Sequence, residues 1–225
     1  MSKQVIVLVP ALNEEMAIGH TVKEIKQLMP HSNVVVVDSS SSDATADRAR
    51  AEGAVVYNTP RGGKGLAVRC ALAYLTKKLD DDDCLAMMDG DFTYPAYHLD
   101  AILQTLTSGA DVVIGYRHKR QQGAMTATNA FGNKTLSLLA SLLYGYYVRD
   151  VCSGLWGFRI AALKKFALTS NQFTLEADMF VNARKTHCRL EQVPITYRAR
   201  LSGSDAKLRV SDGIKIGWFL IQQRA

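Results

Sequence analysis

Asp89 and Asp91 stand one residue apart in 85-LAMMDGDFTYP-95, directly after an apolar run. Each carboxylate raises the cost of ionising the other, so the pair calls for a cation between them or one brought in with a substrate. Two other polar clusters follow apolar runs in the same way: 10-PALNEE-15 after Val5–Val9, and 38-DSSSSD-43 after 34-VVVV-37. Chemistry at three run ends implies one scaffold that presents them together.

The order of patterns describes that scaffold. Val5–Val9 reads as a buried strand. A helix follows in which Asn13 suits the N-cap, Glu14 and Glu15 suit the first turn, and Ile18, Val22, Ile25, Leu28 and Met29 share one face. Strand 34–37 leads to a serine-rich turn, a helix capped by Asp43 that ends near Gly53, and a short strand over 55–57. The turn 60-PRGGKG-65 opens a helix to about Leu79. Strand 84–88, a helix around Leu99–Leu106 and strand 111–115 complete the first half; the acidic run 80-DDDD-83 reads as a solvated loop. Apolar strands alternating with helices predict an α/β fold, a mostly parallel sheet with helices on both faces. Ligands in such sheets bind beyond the carboxyl ends of the strands, where Pro10–Asn13, Asp38–Asp43 and Asp89–Asp91 all fall.

Composition narrows the class. The 225 residues are 48% hydrophobic and 21% charged, which suits one domain over 1–225. The four cysteines have no paired spacing, so they read as reduced thiols rather than a disulfide frame or zinc site. The net charge of +6 is scattered, without a Lys/Arg block or a nucleic-acid signature, so nucleic acid is not an expected partner. The N-terminal apolar run is too short for a signal peptide, and no run reaches the ~20 apolar residues of a membrane span.

Two phosphate-binding patterns are absent: no G-x-G-x-x-G follows the first strand, and Gly62–Gly65 lacks P-loop spacing. The motifs that are present, in order, are PALNEE (10–15), DSSSSD (38–43), GGKG (62–65), DGD (89–91) with Pro95, GYR (115–117), SGLWGFR (153–159), FTLEADM (173–179), VPITYRAR (193–200) and KLRVSDGIKI (207–216). Over essentially its whole length the chain resembles the family 2 glycosyltransferases of GT-A fold, and within them the polyprenyl (dolichyl) phosphate sugar synthases. Ser39 stands where the family pattern commonly has a second acid, Thr93 where many mannosyl members have Gln, and Ala206-Lys207 in place of the usual Ser-Lys.

The resemblance implies a nucleotide-sugar half over 1–117 and an acceptor half over 118–225. Asp89 and Asp91 would hold Mg2+ or Mn2+, hard ions that take few protein carboxylates and several substrate oxygens. Pro10, Ala11, Asn13 and Glu14 would line the base and ribose of a UDP- or GDP-sugar, with Asp38 accepting from the base or sugar edge and Gly90 also touching the substrate; capping suits Asn13 and Glu14 equally. Lys64 would reach a phosphate or merely end a turn. Arg117, Arg200 and Lys207 are the cations placed on phosphates, with Lys134 toward an acceptor phosphate. Asp150 would orient that acceptor, or act as general base toward a hydroxyl acceptor; Glu176 is a motif position that also suits a structural acid. Asp91, Arg117 and Asp150 are the expected catalytic residues.

The implied reaction is an inverting single displacement from a nucleotide sugar to a polyprenyl phosphate. Two other readings stand beside it: a soluble-acceptor enzyme such as a glucosyl-3-phosphoglycerate synthase, and a non-catalytic nucleotide-sugar-binding protein. The apolar segment Leu136–Val148 and 214-IKIGWFLI-221 suit an interface as well as a core. The expectation is a cytoplasmic protein held peripherally at the cytoplasmic face of a membrane.

Overall fold

The computed structural model describes residues 3–201 and 210–224. The elements run β1 (Val5–Ala11), α1 (Ile18–Leu28), β2 (Asn33–Asp38), α2 (Thr45–Ala51), β3 (Val55–Asn58), α3 (Lys64–Leu75), β4 (Cys84–Met87), α4 (His98–Thr107), β5 (Val112–Arg120), α5 (Ala127–Tyr144), β6 (Trp156–Arg159), α6 (Ile160–Leu163), α7 (Leu175–Lys185), β7 (Leu190–Tyr197) and α8 (Val210–Gln222). The strands form one sheet in the order β3-β2-β1-β4-β6-β5-β7. All neighbours are parallel except β6, which runs antiparallel to both β4 and β5. The expected α/β architecture is therefore present, with one reversed strand in its middle.

The strands are apolar on both faces because both faces are covered. Along β1, Ile6 and Leu8 pack into the core beneath α3, α5, α7 and α8, while Val7 and Val9 pack into the core beneath α1, α2 and α4. Leu85 and Met87 alternate with Cys84, Ala86 and Met88 in the same way. Gly157 of β6 is a contact point, since a Cβ there would lie 2.3 Å from Ile102 of α4.

Several local expectations are corrected. Helix α1 begins at Ile18 with Ala17 as its N-cap residue, so Asn13 does not cap it. Leu28, expected on its apolar face, is exposed. Helix α3 ends at Leu75, and α5 ends at Gly145, whose left-handed φ of 61° breaks the helix before Val148. The acidic run is not only solvated. Asp81 pairs with Lys164 and Asp82 with Arg159. Asp83 is buried and accepts from the backbone amides of Gln4 and Asp80 at 2.7 and 2.9 Å, which fixes the approach to β4.

Candidate active site

The carboxyl ends of β1, β2, β4, β5 and β7 point to one edge of the sheet, and a cleft of about 450 Å³ opens there. Because β6 runs the other way, its amino end reaches the same edge, and residues 150–154 enter the site from the opposite direction. Sequence-predicted residues that line the cleft are Pro10, Ala11, Glu14, Lys64, Asp89, Gly90, Asp91, Arg117, Glu176 and Arg200.

The turn after β4 is built to aim the acids. Phe92 has a left-handed φ of 62°, an unfavourable conformation for a bulky residue. It turns Thr93 back, so that the Thr93 amide and hydroxyl donate to Asp91 Oδ1 at 3.1 and 2.5 Å. The other oxygen of Asp91 lies 2.5 Å from Arg200 Nη2. Burial raises the Asp91 pKa and the Asp89 charge raises it further, against the opposing pull of Arg200 and Thr93. Asp89 Oδ1 lies 2.5 Å from Lys64 Nζ, which also sits 2.5 Å from Glu176 Oε1. Burial opposes the Lys64 charge, yet Asp89 and Glu176 outweigh it and raise the lysine pKa well above its ordinary value. Glu176 is raised by burial, only partly offset by Lys64. Gly154 makes room for this arrangement, since a Cβ there would lie 2.1 Å from Asp89 Oδ2.

Lys64 and Glu176 each stand at a helix start, in the first turns of α3 and α7. The two starts are locked together: Leu66 N donates to Asn171 O at 3.0 Å, and Gln172 Nε2 donates to Gly62 O at 3.2 Å. Asp178 accepts the amides of Thr169 and Ser170 at 2.6 and 2.8 Å. Gly65 permits the contact, because a Cβ would lie 2.5 Å from Ser170 O. Two positive helix-dipole ends thus border the cleft.

Arg117 forms part of the inner wall, with Asp150 buried behind it. Asp150 Oδ2 accepts from Arg117 N at 3.1 Å and Arg117 Nε at 2.6 Å, while Oδ1 accepts from Arg117 Nη2 at 2.7 Å and Asn133 Nδ2 at 2.9 Å. Burial would raise the Asp150 pKa, but Arg117 and these hydrogen bonds carry it below the ordinary carboxylate value. Arg117 also lies over the Tyr197 ring, 5.2 Å from its centroid. Arg200 is positioned from the end of β7, where Arg198 N donates to Thr93 O at 2.8 Å and the Arg198 side chain grips Glu24 at 2.9 and 2.7 Å.

Other expected residues stand away from the cleft. Asn13, in a left-handed conformation, takes the Ser42 amide on Oδ1 at 2.9 Å and gives its own amide to Ser41 Oγ at 2.8 Å. Asp38 is buried and accepts from the Ser41 amide and hydroxyl at 3.1 and 2.5 Å. These bonds fasten the β1 loop to the β2 loop beneath the cleft wall. Asp150 lies behind Arg117 rather than on the cleft surface. Lys134 is exposed on α5, and Lys207 lies outside the described residues.

Sequence reasoning passed over Tyr94, Cys152, Phe173, Tyr197 and Ile216, all of which line the cleft. Tyr94 Oη accepts the Gly154 amide at 2.7 Å, joining the β4 turn to the β6 approach. Its place inside DFTYP was the available signal. Ser39 also lines the cleft, and its buried hydroxyl has no partner among the described residues.

Asp89 and Asp91 present hard oxygen donors to the cleft, and among the described residues no group of three His, Cys, Asp or Glu forms a metal-holding set. Two carboxylates that leave most of a coordination shell to other oxygens fit Mg2+ or Mn2+ bound together with a diphosphate.

The model of the family described as glycosyl transferase family 2 matches residues 6–166. Glycosyltransferase AglJ of Haloferax volcanii is 34% identical over 209 residues, covering 91% of this chain and 66% of that protein. A dolichyl-phosphate hexose transferase of the same organism is 31% identical over 194 residues, covering 86% of this chain and 82% of that protein. Among solved structures, glucosyl-3-phosphoglycerate synthase from Mycobacterium tuberculosis, in complex with Mn2+, UDP and glucosyl-3-phosphoglycerate, superposes with a TM-score of 0.74. It is 21% identical and covers 99% of this chain and 78% of that one, a likeness of fold.

Proposed function

Because the chain belongs to glycosyl transferase family 2, we propose that it moves a hexosyl unit from a UDP- or GDP-sugar to a polyprenyl phosphate. The observation that carries the choice of acceptor is the state of Asp150. An ionised carboxylate offers about four lone-pair sites, and four donors already fill them. With its pKa lowered as well, it is poorly suited to take a proton from a sugar hydroxyl. An acceptor phosphate is already an anionic nucleophile and needs only to be held. The name of the dolichyl-phosphate hexose transferase relative agrees with that acceptor class.

In this reading the segment 1–117 supplies the donor half and 118–225 the acceptor half. Pro10, Ala11, Glu14 and Ser39 border the nucleoside, with Asp38 and Asn13 stiffening the two loops behind them. Lys64 and Arg200 take the diphosphate oxygens beside Gly90, and the α3 amino end adds its dipole. Asp89 and Asp91 would hold Mg2+ or Mn2+, which when bound neutralises charge developing on the departing diphosphate. Arg117, held through Nε and Nη2 by Asp150, would turn its remaining Nη1 donors to the acceptor phosphate. Glu176 keeps Lys64 in place. Alignment and fixed charge then carry the displacement, and Lys134 and Lys207 are further cations for the acceptor.

The lipid part of the reading draws on the α5–α8 face. Phe131, Leu138 and Leu142 share one side of α5, Ile214, Trp218 and Ile221 share one side of α8, and all six are exposed. The helices pack together, with Tyr144 Oη donating to Leu220 O at 3.0 Å. Ile216, on the opposite and buried side of α8, lines the cleft, so the same helix borders both the exposed apolar surface and the site. Lys134 and Lys215 flank it with positive charge suited to anionic headgroups. Among the described residues no helix is long and apolar enough to cross a membrane. Peripheral attachment at a cytoplasmic membrane face is the proposed location.

The test compares acceptors at fixed donor: polyprenyl phosphate, unphosphorylated polyprenol and 3-phosphoglycerate. Transfer to the lipid phosphate alone is expected. Transfer to polyprenol or to 3-phosphoglycerate at a comparable rate would refute the acceptor assignment.

A further inference from the structure

The two aspartates of the β4 turn are each held by a cation of the chain. Lys64 Nζ bridges Asp89 and Glu176 at 2.5 Å to each. Arg200 Nη2 is 2.5 Å from Asp91 Oδ2. Both cations line the cleft. Arg200 Nη1 is buried and has no hydrogen-bond partner among the described residues, so Asp91 does not satisfy all the donors of this guanidinium. A second acceptor in the cleft would. Lys64, with three donors, reaches one oxygen on the β4 turn and one on α7, and the α3 amino end beside it also favours an anion.

We propose that Lys64 and Arg200 are placeholder cations: they neutralise Asp89 and Asp91 until a nucleoside diphosphate draws both onto its phosphates and frees the carboxylates for a divalent ion. This rests on the reading above that a nucleotide sugar occupies the cleft. A metal offered alone must displace a fixed positive charge from each carboxylate. Diphosphate and metal therefore bind as linked ligands, each strengthening the other by the same factor. Removing a placeholder has opposite effects on the two: the metal alone binds more tightly, and the nucleotide alone binds more weakly. A lysine that only bridged α3, β4 and α7 would leave the metal affinity unchanged. One that only contacted phosphate would weaken the nucleotide and nothing else.

The experiment is titration of Mn2+ into the full chain, with calorimetry or electron paramagnetic resonance as readout, alone and with saturating UDP or GDP. Wild type, Lys64→Met, Lys64→Arg and Arg200→Gln are compared after thermal melts establish which are folded. Lys64→Met and Arg200→Gln are expected to bind Mn2+ alone about tenfold more tightly and nucleotide alone about tenfold more weakly, within the usual span of coupling factors. Lys64→Arg, which keeps a cation in the cradle, is expected to hold the wild-type Mn2+ affinity. Unchanged or weaker Mn2+ binding in folded Lys64→Met and Arg200→Gln would overturn the proposal. The Arg200 side chain is 28% exposed, so its variant decides the matter alone if Lys64→Met does not fold. No acceptor is present, so failure of the acceptor assignment leaves this result standing. Wild type that binds neither nucleotide would sink the donor reading while the Mn2+ arm still judges the placeholders.

Discussion

Replacing Asp150 with Asn changes almost no volume but reverses the chemistry at one oxygen. Each carboxylate oxygen receives two donors, so an amide NH2 in either position faces two N–H groups. Arg117 then keeps its charge with a neutral, half-mismatched partner. The side chains of Arg117 and Asp150 are 8% and 3% exposed, too buried for solvent to relieve the loss. Breaking such a pair costs about 3–5 kcal/mol, which for a chain of this size lowers the Tm by roughly 6–20 °C. The sign with pH follows from the lowered pKa. Ionised Asp150 stabilises the fold fully above the unfolded carboxylate pKa of ~3.9, and that contribution is lost as pH falls through its lower folded value. The gap between wild type and Asp150→Asn should therefore be constant near neutral pH and close below about pH 4. Urea and thermal melts across pH measure both. A cycle with Arg117→Met should give a double mutant less damaged than the sum of the singles, by on the order of 1–3 kcal/mol. Additive losses, or a Tm drop under about 2 °C, would refute the view that this pair is a buried, mutually dependent unit.

Gly154→Ala should cost transfer rather than folding: its Cβ would stand 2.1 Å from Asp89 Oδ2, so the carboxylate must move. Displacement by about 1 Å in an aligned site lowers kcat/KM on the order of 100-fold, which steady-state kinetics beside an unchanged melt would reveal. The α5–α8 face should bind lipid through its outermost side chains. Phe131 and Trp218 are 75% and 60% exposed, so changing both to Ser leaves the core intact. Sedimentation with anionic vesicles should then weaken by about tenfold per residue or more, and equal binding would remove this face from the membrane account.

Much of the scaffold was legible because both faces of the sheet are buried. Runs such as VIVLV and CLAMM need no partner in view to be recognised as strands, and the polar clusters after them mark the carboxyl edge. Strand β6 was harder: WGFR spans four residues inside a motif, and nothing local says that it runs backward between β4 and β5. That reversal brings Asp150 and Gly154 to the same edge as Asp89. The ion-pair pattern was also hidden, since Lys64 meets Asp89 and Glu176 across 25 and 112 residues. Asn13 looked like a helix cap because its type fits one, yet its side chain bonds to a loop 29 residues away. Sequence spacing points to which residues matter at an edge; pairing across the edge depends on the folded chain.

The most direct measurement is transfer of labelled hexose from UDP-glucose, UDP-N-acetylglucosamine and GDP-mannose into the organic phase with polyprenyl phosphate present. Each donor is assayed with Mg2+, with Mn2+ and with chelator, using wild type and Asp91→Ala. Label is expected in lipid from one donor class, dependent on metal and lost in Asp91→Ala. Label that enters lipid equally with chelator or with Asp91→Ala, or that never enters lipid from any donor, would overturn the assignment of a metal-dependent polyprenyl-phosphate glycosyltransferase.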